Sequence, residues 1–112
     1  KDNHIQYIEL YARDLEEIKS SISRVFGWVF TDFGKDYTAF TNSGVEGGFE
    51  KVEKVTQGGP LVVLYHANLE LAKEHIVKGS GTILKDIFSF PGGRRFHFVD
   101  PAGNELAVWA DK

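Results

Sequence analysis

Glu9, Arg95, His97 and Glu105 are the side chains of this sequence whose types and spacing suit proton transfer and anion binding. Alternation along a strand assigns their sides. In the opening segment Ile8 and Leu10 form an apolar set, so Tyr7, Glu9 and Tyr11 face the other way. Near the C-terminus Phe96, Phe98, Leu106 and Val108 read as core. Arg95 and His97, and on the next strand Glu105, Ala107 and Trp109, then point to the opposite side. A glutamate in partly apolar surroundings can act as a general base, and a guanidinium takes a carboxylate or phosphate in fork geometry. Glu9 and His97 are therefore the candidates for proton transfer, with Arg95 orienting an anionic ligand. Each also has a plainer reading. Glu9 and Arg95 can be a structural ion pair, His97 a satisfied histidine, and Trp109 a packing residue. Tyr7, Tyr11 and Tyr65 can be filling, and Glu105 a solvated strand end.

Other reactive groups fall away. No cysteine is present, which excludes disulfides, thiolate metal sites and cysteine nucleophiles. Ser20, Ser21 and Ser23 lie on a predicted helix without the strand-turn-helix context of a nucleophile elbow. Pro91-Gly92-Gly93-Arg94-Arg95 lacks the spacing and following helix of a phosphate loop and reads as a turn. His4, His66 and His75 show no metal-ligand spacing.

The elements that position these residues are organised by an internal repeat. Leu10 to Lys19 reads LYARDLEEIK and Leu64 to Lys73 reads LYHANLELAK, at an offset of 54 with five of ten positions identical. An extended segment precedes each copy, Ile5 to Tyr11 and Leu61 to Tyr65, and a helix follows each. The first helix opens at Asp14, with Glu17 in capping-box position. Its stripe is Leu15, Ile18, Ile22 and Phe26, and it stops at Gly27. The second opens at Asn68, carries Leu69, Ala72 and Ile76, and closes at Gly79. Three strands follow each helix: Trp28 to Phe33, Tyr37 to Thr41 and Val45 to Lys51, then Thr82 to Phe88, Arg94 to Val99 and Glu105 to Trp109. The polar stretch Lys54 to Gly59 is the expected linker. The expected fold class is α+β, one domain over 1–112 of two βαβββ modules (about 4–53 and 60–112). Helices cover one side of the sheets and leave a groove on the other.

The opening IQYIELYARDLEEIKSSISRVFGWVF, GGFEK at 47–51 and the closing FSFPGGRRFHFVDPAGNELAVW resemble the vicinal oxygen chelate superfamily of glyoxalases, bleomycin-resistance proteins and dioxygenases. The resemblance covers nearly the whole chain. It implies an open, cleft-containing mixed β-barrel with the helices outside, and in many members a divalent metal (Ni, Zn, Mn or Fe). It places the metal-ligand positions at Tyr7, Leu61, Ala107 and near Glu50. Leu61 and Ala107 have no donor atom to offer, so the usual metal site is not expected. By the same parity Leu61, Val63 and Tyr65 join the groove lining. An unusual ligand set of His4, Glu9, Glu50 and His97 is the metal-dependent alternative.

Composition narrows the partners. Thirteen Lys and Arg against sixteen Asp and Glu leave a net charge of −3, without the basic footprint that nucleic acids or anionic membranes require. No run reaches the length of a membrane span, and a cytoplasmic location and a homodimer are the expectations. An aromatic and aliphatic lining with few polar points suits a small, partly apolar organic ligand. The expected activity is glyoxalase-like proton transfer or, from a different class, sequestration of a drug or toxin. A metal-dependent lyase or dioxygenase is the third reading.

Overall fold

The computed structural model describes residues 1–55, 59–101 and 103–112. Residues 56–58 of the expected linker, and Ala102 of the last turn, lie outside the described residues. The element order is β1 (His4–Ala12), α1 (Leu15–Phe26), β2 (Val29–Asp32), β3 (Tyr37–Thr41), β4 (Glu46–Lys51), β5 (Leu61–Tyr65), α2 (Leu69–Lys78), β6 (Thr82–Phe90), β7 (Gly93–Val99) and β8 (Glu105–Ala110). This is βαβββ twice, an α+β fold. No helix among the described residues is long and apolar enough to cross a membrane.

Contacts divide the chain into two units, Tyr7–Pro60 and Leu61–Lys112, the latter joined by Lys1–Gln6. In the first unit the strand order is β2-β3-β4-β1, with β1 and β4 parallel and the other pairs antiparallel. In the second it is β5-β8-β7-β6, with β5 and β8 parallel. The leading residues are tied to the second unit by hydrogen bonds: Asn3 N–H donates to the Tyr65 carbonyl, and the Asp2 carboxylate accepts from Ala67 N–H.

Local capping sets the helix starts. The Asp14 carboxylate accepts from Glu17 N–H at 3.1 Å and the Asn68 side chain from Leu71 N–H at 3.0 Å, each satisfying a donor that the first turn leaves open. The two helices end differently. Gly27 takes the left-handed conformation itself (φ 75°), whereas Gly79 has φ −89° and Ser80 is the left-handed residue (φ 73°). The stripe of α1 also ends sooner than its spacing predicts. Leu15 is buried and Ile18 and Ile22 are half-buried, but Phe26 is 62% exposed. The Phe26 ring lies against Trp28, at 5.8 Å between centroids.

Each helix covers one face of its own sheet. Leu10, Ala12, Phe40 and Phe49 pack with Leu15 and Ile18 in the first unit. Leu64, Phe96, Val108 and Ala110 pack with Leu69 and Ala72 in the second. Equivalent ion pairs tie each helix to its sheet: Lys19 to Asp32 at 3.0 Å and Lys73 to Asp86 at 2.7 Å, again 54 residues apart. These core and cap positions leave the helix-free face of each sheet as the place for chemistry.

Candidate functional site

On the helix-free face of the second unit, strand register lines up two cross-strand rows. One row is His97–Ala107–Val63 and the other Arg95–Trp109–Tyr65. The alternation expected for Arg95, His97, Glu105, Ala107 and Trp109 is therefore observed. Leu61, Val63 and Ala107 are buried and apolar. Tyr65 donates its hydroxyl to Asp111 and packs edge-on against Trp109. The Trp109 indole N–H donates to the Gln6 side chain at 2.6 Å.

His97 holds the centre of this face. It is 7% exposed, and its Nδ1 lies 2.9 Å from Glu105 Oε2. Glu105 sits diagonally across from His97, opposite Val99 in the register, within reach of a long side chain. A carboxylate only accepts, so Nδ1 carries a proton, and in the neutral tautomer the lone pair is at Nε2. That Nε2 is buried and has no hydrogen-bond partner among the described residues. An unpartnered buried nitrogen costs roughly 1–3 kcal/mol, which a hydrogen-bonding ligand would remove.

Three more residues, Lys85, Phe88 and Phe90, join this face from β6, and for Lys85 strict alternation from Ile83 does not anticipate it. The pairing of β6 with β7 shifts register between Ile83 and Lys85, and again between Lys85 and Phe88. An extra residue at each shift turns the following side chain over. Ile83 and Ile87 stay against the helix, while Lys85 pairs with His97 and Phe88 with Arg95. The Phe88 ring lies 5.8 Å from the His97 ring, with the Lys85 ammonium 4.7 Å and the Arg95 guanidinium 5.5 Å from its centroid. Arg95 also lies 5.7 Å from Phe90. Cations held over aromatic faces keep their charge while lining an apolar wall.

The first unit carries a different set. Its rows are Ala39–Gly48–Glu9 and Tyr37–Glu50–Tyr11, so Glu50 does share a face with Tyr11. Glu9 is 4% exposed and accepts a hydrogen bond from the Tyr37 hydroxyl at 3.3 Å. Tyr37 in turn lies 2.5 Å from the Tyr7 hydroxyl. A Cβ at Gly48 would come within 2.6 Å of Tyr37 Cζ, so only glycine lets that ring cross β4. Burial, then the Tyr7 hydrogen bond and the Glu9 charge, push the Tyr37 hydroxyl far above the usual phenol range. Tyr37 is a residue that the alternation argument left out; Gly47-Gly48 was its available signal.

Other expected details also resolve. The His66 Nδ1 accepts from Asn68 N–H, a role at the helix start. His75 lies in α2, and Ser23 donates to the Trp28 carbonyl. Pro91-Gly92 is a turn, and Arg94 beyond it makes a forked pair with Glu70. The residues at the ligand positions that the sequence resemblance implies do not fit a metal: Leu61 and Ala107 supply no donor. Among the described residues no three His, Asp or Glu side chains come together to hold one.

No protein-family model matches the chain, and no curated protein matches it. Solved structures do. A glyoxalase/bleomycin resistance protein/dioxygenase superfamily member from Vibrio splendidus 12B01 matches at TM-score 0.72 and 18% identity, over 94% of this chain and 97% of that one. Streptomyces coelicolor methylmalonyl-CoA epimerase matches at TM-score 0.71 and 12% identity, over 99% of each chain. The Mn(II)-bound glyoxalase from Novosphingobium aromaticivorans matches at TM-score 0.70 and 14% identity, over 99% of this chain and 40% of that one. At these identities the likeness concerns architecture, and the chain has the vicinal oxygen chelate fold.

Proposed function

We propose that this chain binds a small, partly apolar organic anion on the helix-free face of its second module and exchanges a proton with it at His97 Nε2. The observation that carries the reading is the oriented imidazole, with Nδ1 2.9 Å from Glu105 and Nε2 buried without a partner among the described residues. A carboxylate that fixes the tautomer and stabilises the imidazolium is the arrangement a general base needs. Arg95 and Lys85 supply positive charge beside it, and Phe88, Phe90 and Trp109 supply apolar surface. Nε2 is shielded, so the ligand gains access by displacing a side chain, and the exposed Lys85 is the long, flexible one. The chemistry belongs with proton transfer of the glyoxalase-like kind, without a metal at the usual positions.

The test uses benzoate and phenylglyoxylate as probe anions, with the His97 ring nitrogens followed by NMR. Binding should move the Nε2 resonance of the wild-type chain, and Arg95→Gln should weaken binding about tenfold, the loss of one charge-assisted hydrogen bond. His97→Gln should keep the fold and lose any turnover. Anions that bind without moving Nε2 would sink the assignment. Stoichiometric binding at Nε2 with no product from a panel of carbonyl acids would make the protein a sequestering module instead.

A further inference from the structure

The two modules fill the space between helix and sheet differently. At the offset of 54, Leu15, Ile18 and Ile22 of α1 correspond to Leu69, Ala72 and Ile76 of α2. Strand register extends the correspondence: Leu10 of β1 is opposite Phe49 of β4, and Leu64 of β5 is opposite Val108 of β8. The ring has passed one strand over, to Phe96 opposite Val108, where the first module has Thr38 opposite Phe49. The second module thus has alanine in place of isoleucine on its helix and valine in place of phenylalanine on its sheet. A pocket of about 150 Å³ lies there, walled by Leu64, Ala72, Ile76, Phe98 and Val108. A space of that size between aliphatic and aromatic walls holds one benzene ring.

The polar lining narrows the ligand further. Asn3 and His75 are exposed, whereas His66, which stands where the first module has Ala12, is only 8% exposed. Its Nδ1 accepts from Asn68 N–H at 3.0 Å, so Nδ1 carries no proton and Nε2–H is the ring's donor. Asp2, the neighbour of Asn3, accepts from Ala67 N–H with Oδ1, and its Oδ2 lies 3.9 Å from His66 Nε2. That gap is too long for a direct hydrogen bond. A hydroxyl between the two can accept from Nε2–H and donate to the carboxylate. A carboxylate has no proton to give, and a hydrocarbon makes neither bond. We propose that this pocket, on the face of the sheet away from His97, binds a monocyclic phenol. Its ring fills the space beside Ala72 and Val108, and its hydroxyl bridges His66 and Asp2.

The experiment follows the Leu64 and Ile76 methyl groups by NMR in the intact chain while phenol or toluene is added. Phenol should shift both methyls saturably in the wild type; no shift overturns the site. Ala72→Val takes up part of the space and should weaken phenol about tenfold. Equal binding by Ala72→Val and wild type also overturns the site. Asp2→Asn should weaken phenol about fivefold, the loss of a charged acceptor, and leave toluene unchanged. A loss shared equally by phenol and toluene, or no loss for phenol, overturns the hydroxyl bridge. His97→Gln should leave every one of these shifts in place, which separates the pocket from the site on the opposite face. Shifts that vanish in His97→Gln would assign phenol to that other face and overturn the proposal.

Discussion

In the first module the ionisable group of the central row stands on β1, as Glu9, in line with Gly48 and Ala39. In the second module the same row carries it on β7, as His97, in line with Ala107 and Val63. Both rows keep small residues beside the polar one, yet the outcomes differ. Gly48 lets Tyr37 close over Glu9. Beyond His97 the two register shifts of β6 bring Lys85 and Phe88 to the edge of the row. The edge strand of the first module has four residues in plain register, and that of the second has nine with two irregularities. A duplicated scaffold thus carries two different polar settings, with one glycine and two inserted positions setting them apart and the N-terminal helix caps held alike.

The sharpest way to break this comparison is at the row's small residue. Gly48→Ala should destabilise by about 1–3 kcal/mol, the usual cost of overpacking, and remove the Tyr37–Glu9 bond. Ala107→Gly, its counterpart, should cost only about 0.5–1 kcal/mol, from strand entropy. Urea denaturation of both variants decides it; equal losses would mean that Gly48 is not special. A smaller effect is expected at the helix ends. Gly27→Ala should cost about 1 kcal/mol because Gly27 is left-handed. Gly79→Ala should cost less, and Ser80→Gly should stabilise by about 0.5–1 kcal/mol, because Ser80 carries the strain in the second module. Thermal melts in which Gly27→Ala and Gly79→Ala lose equally would erase that distinction.

The smallest effect concerns the paired ion bridges. The Lys19 hydrogen bond holds the Asp32 carboxyl below its usual range, and that of Lys73 does the same for Asp86. A depressed carboxyl contributes stability above its unfolded value that is lost as pH falls through the folded one. Asp32→Asn and Asp86→Asn should therefore each lower the melting temperature slightly at pH 7, and the difference from wild type should vanish in acid. Both carboxylates are exposed, so salt should shrink the effect too. A deficit that persists below pH 3 would assign the loss to packing.

Much of this was legible beforehand because it is local. Asp14 and Asn68 cap helices with their own side chains three residues on, and the LYARDLEEIK and LYHANLELAK copies mark both modules. Period-two alternation placed Tyr7, Glu9, Tyr11, Arg95 and His97 on the helix-free faces, since a strand cannot turn one side chain without turning the next. Alternation from Ile83 does not reach Lys85, where an extra residue resets it without any marker in composition; the second shift restores it by Phe88.

The sequence by itself determined the repeat, the caps, the order of elements and the faces of the regular strands, because each depends on neighbours a few residues apart. Only the tertiary structure decided that His97 meets Glu105, that Phe88 meets His97 and that Tyr37 reaches Glu9 and Tyr7. Those contacts depend on strand register, and register is set by how whole sheets pack against their helices rather than by any one segment.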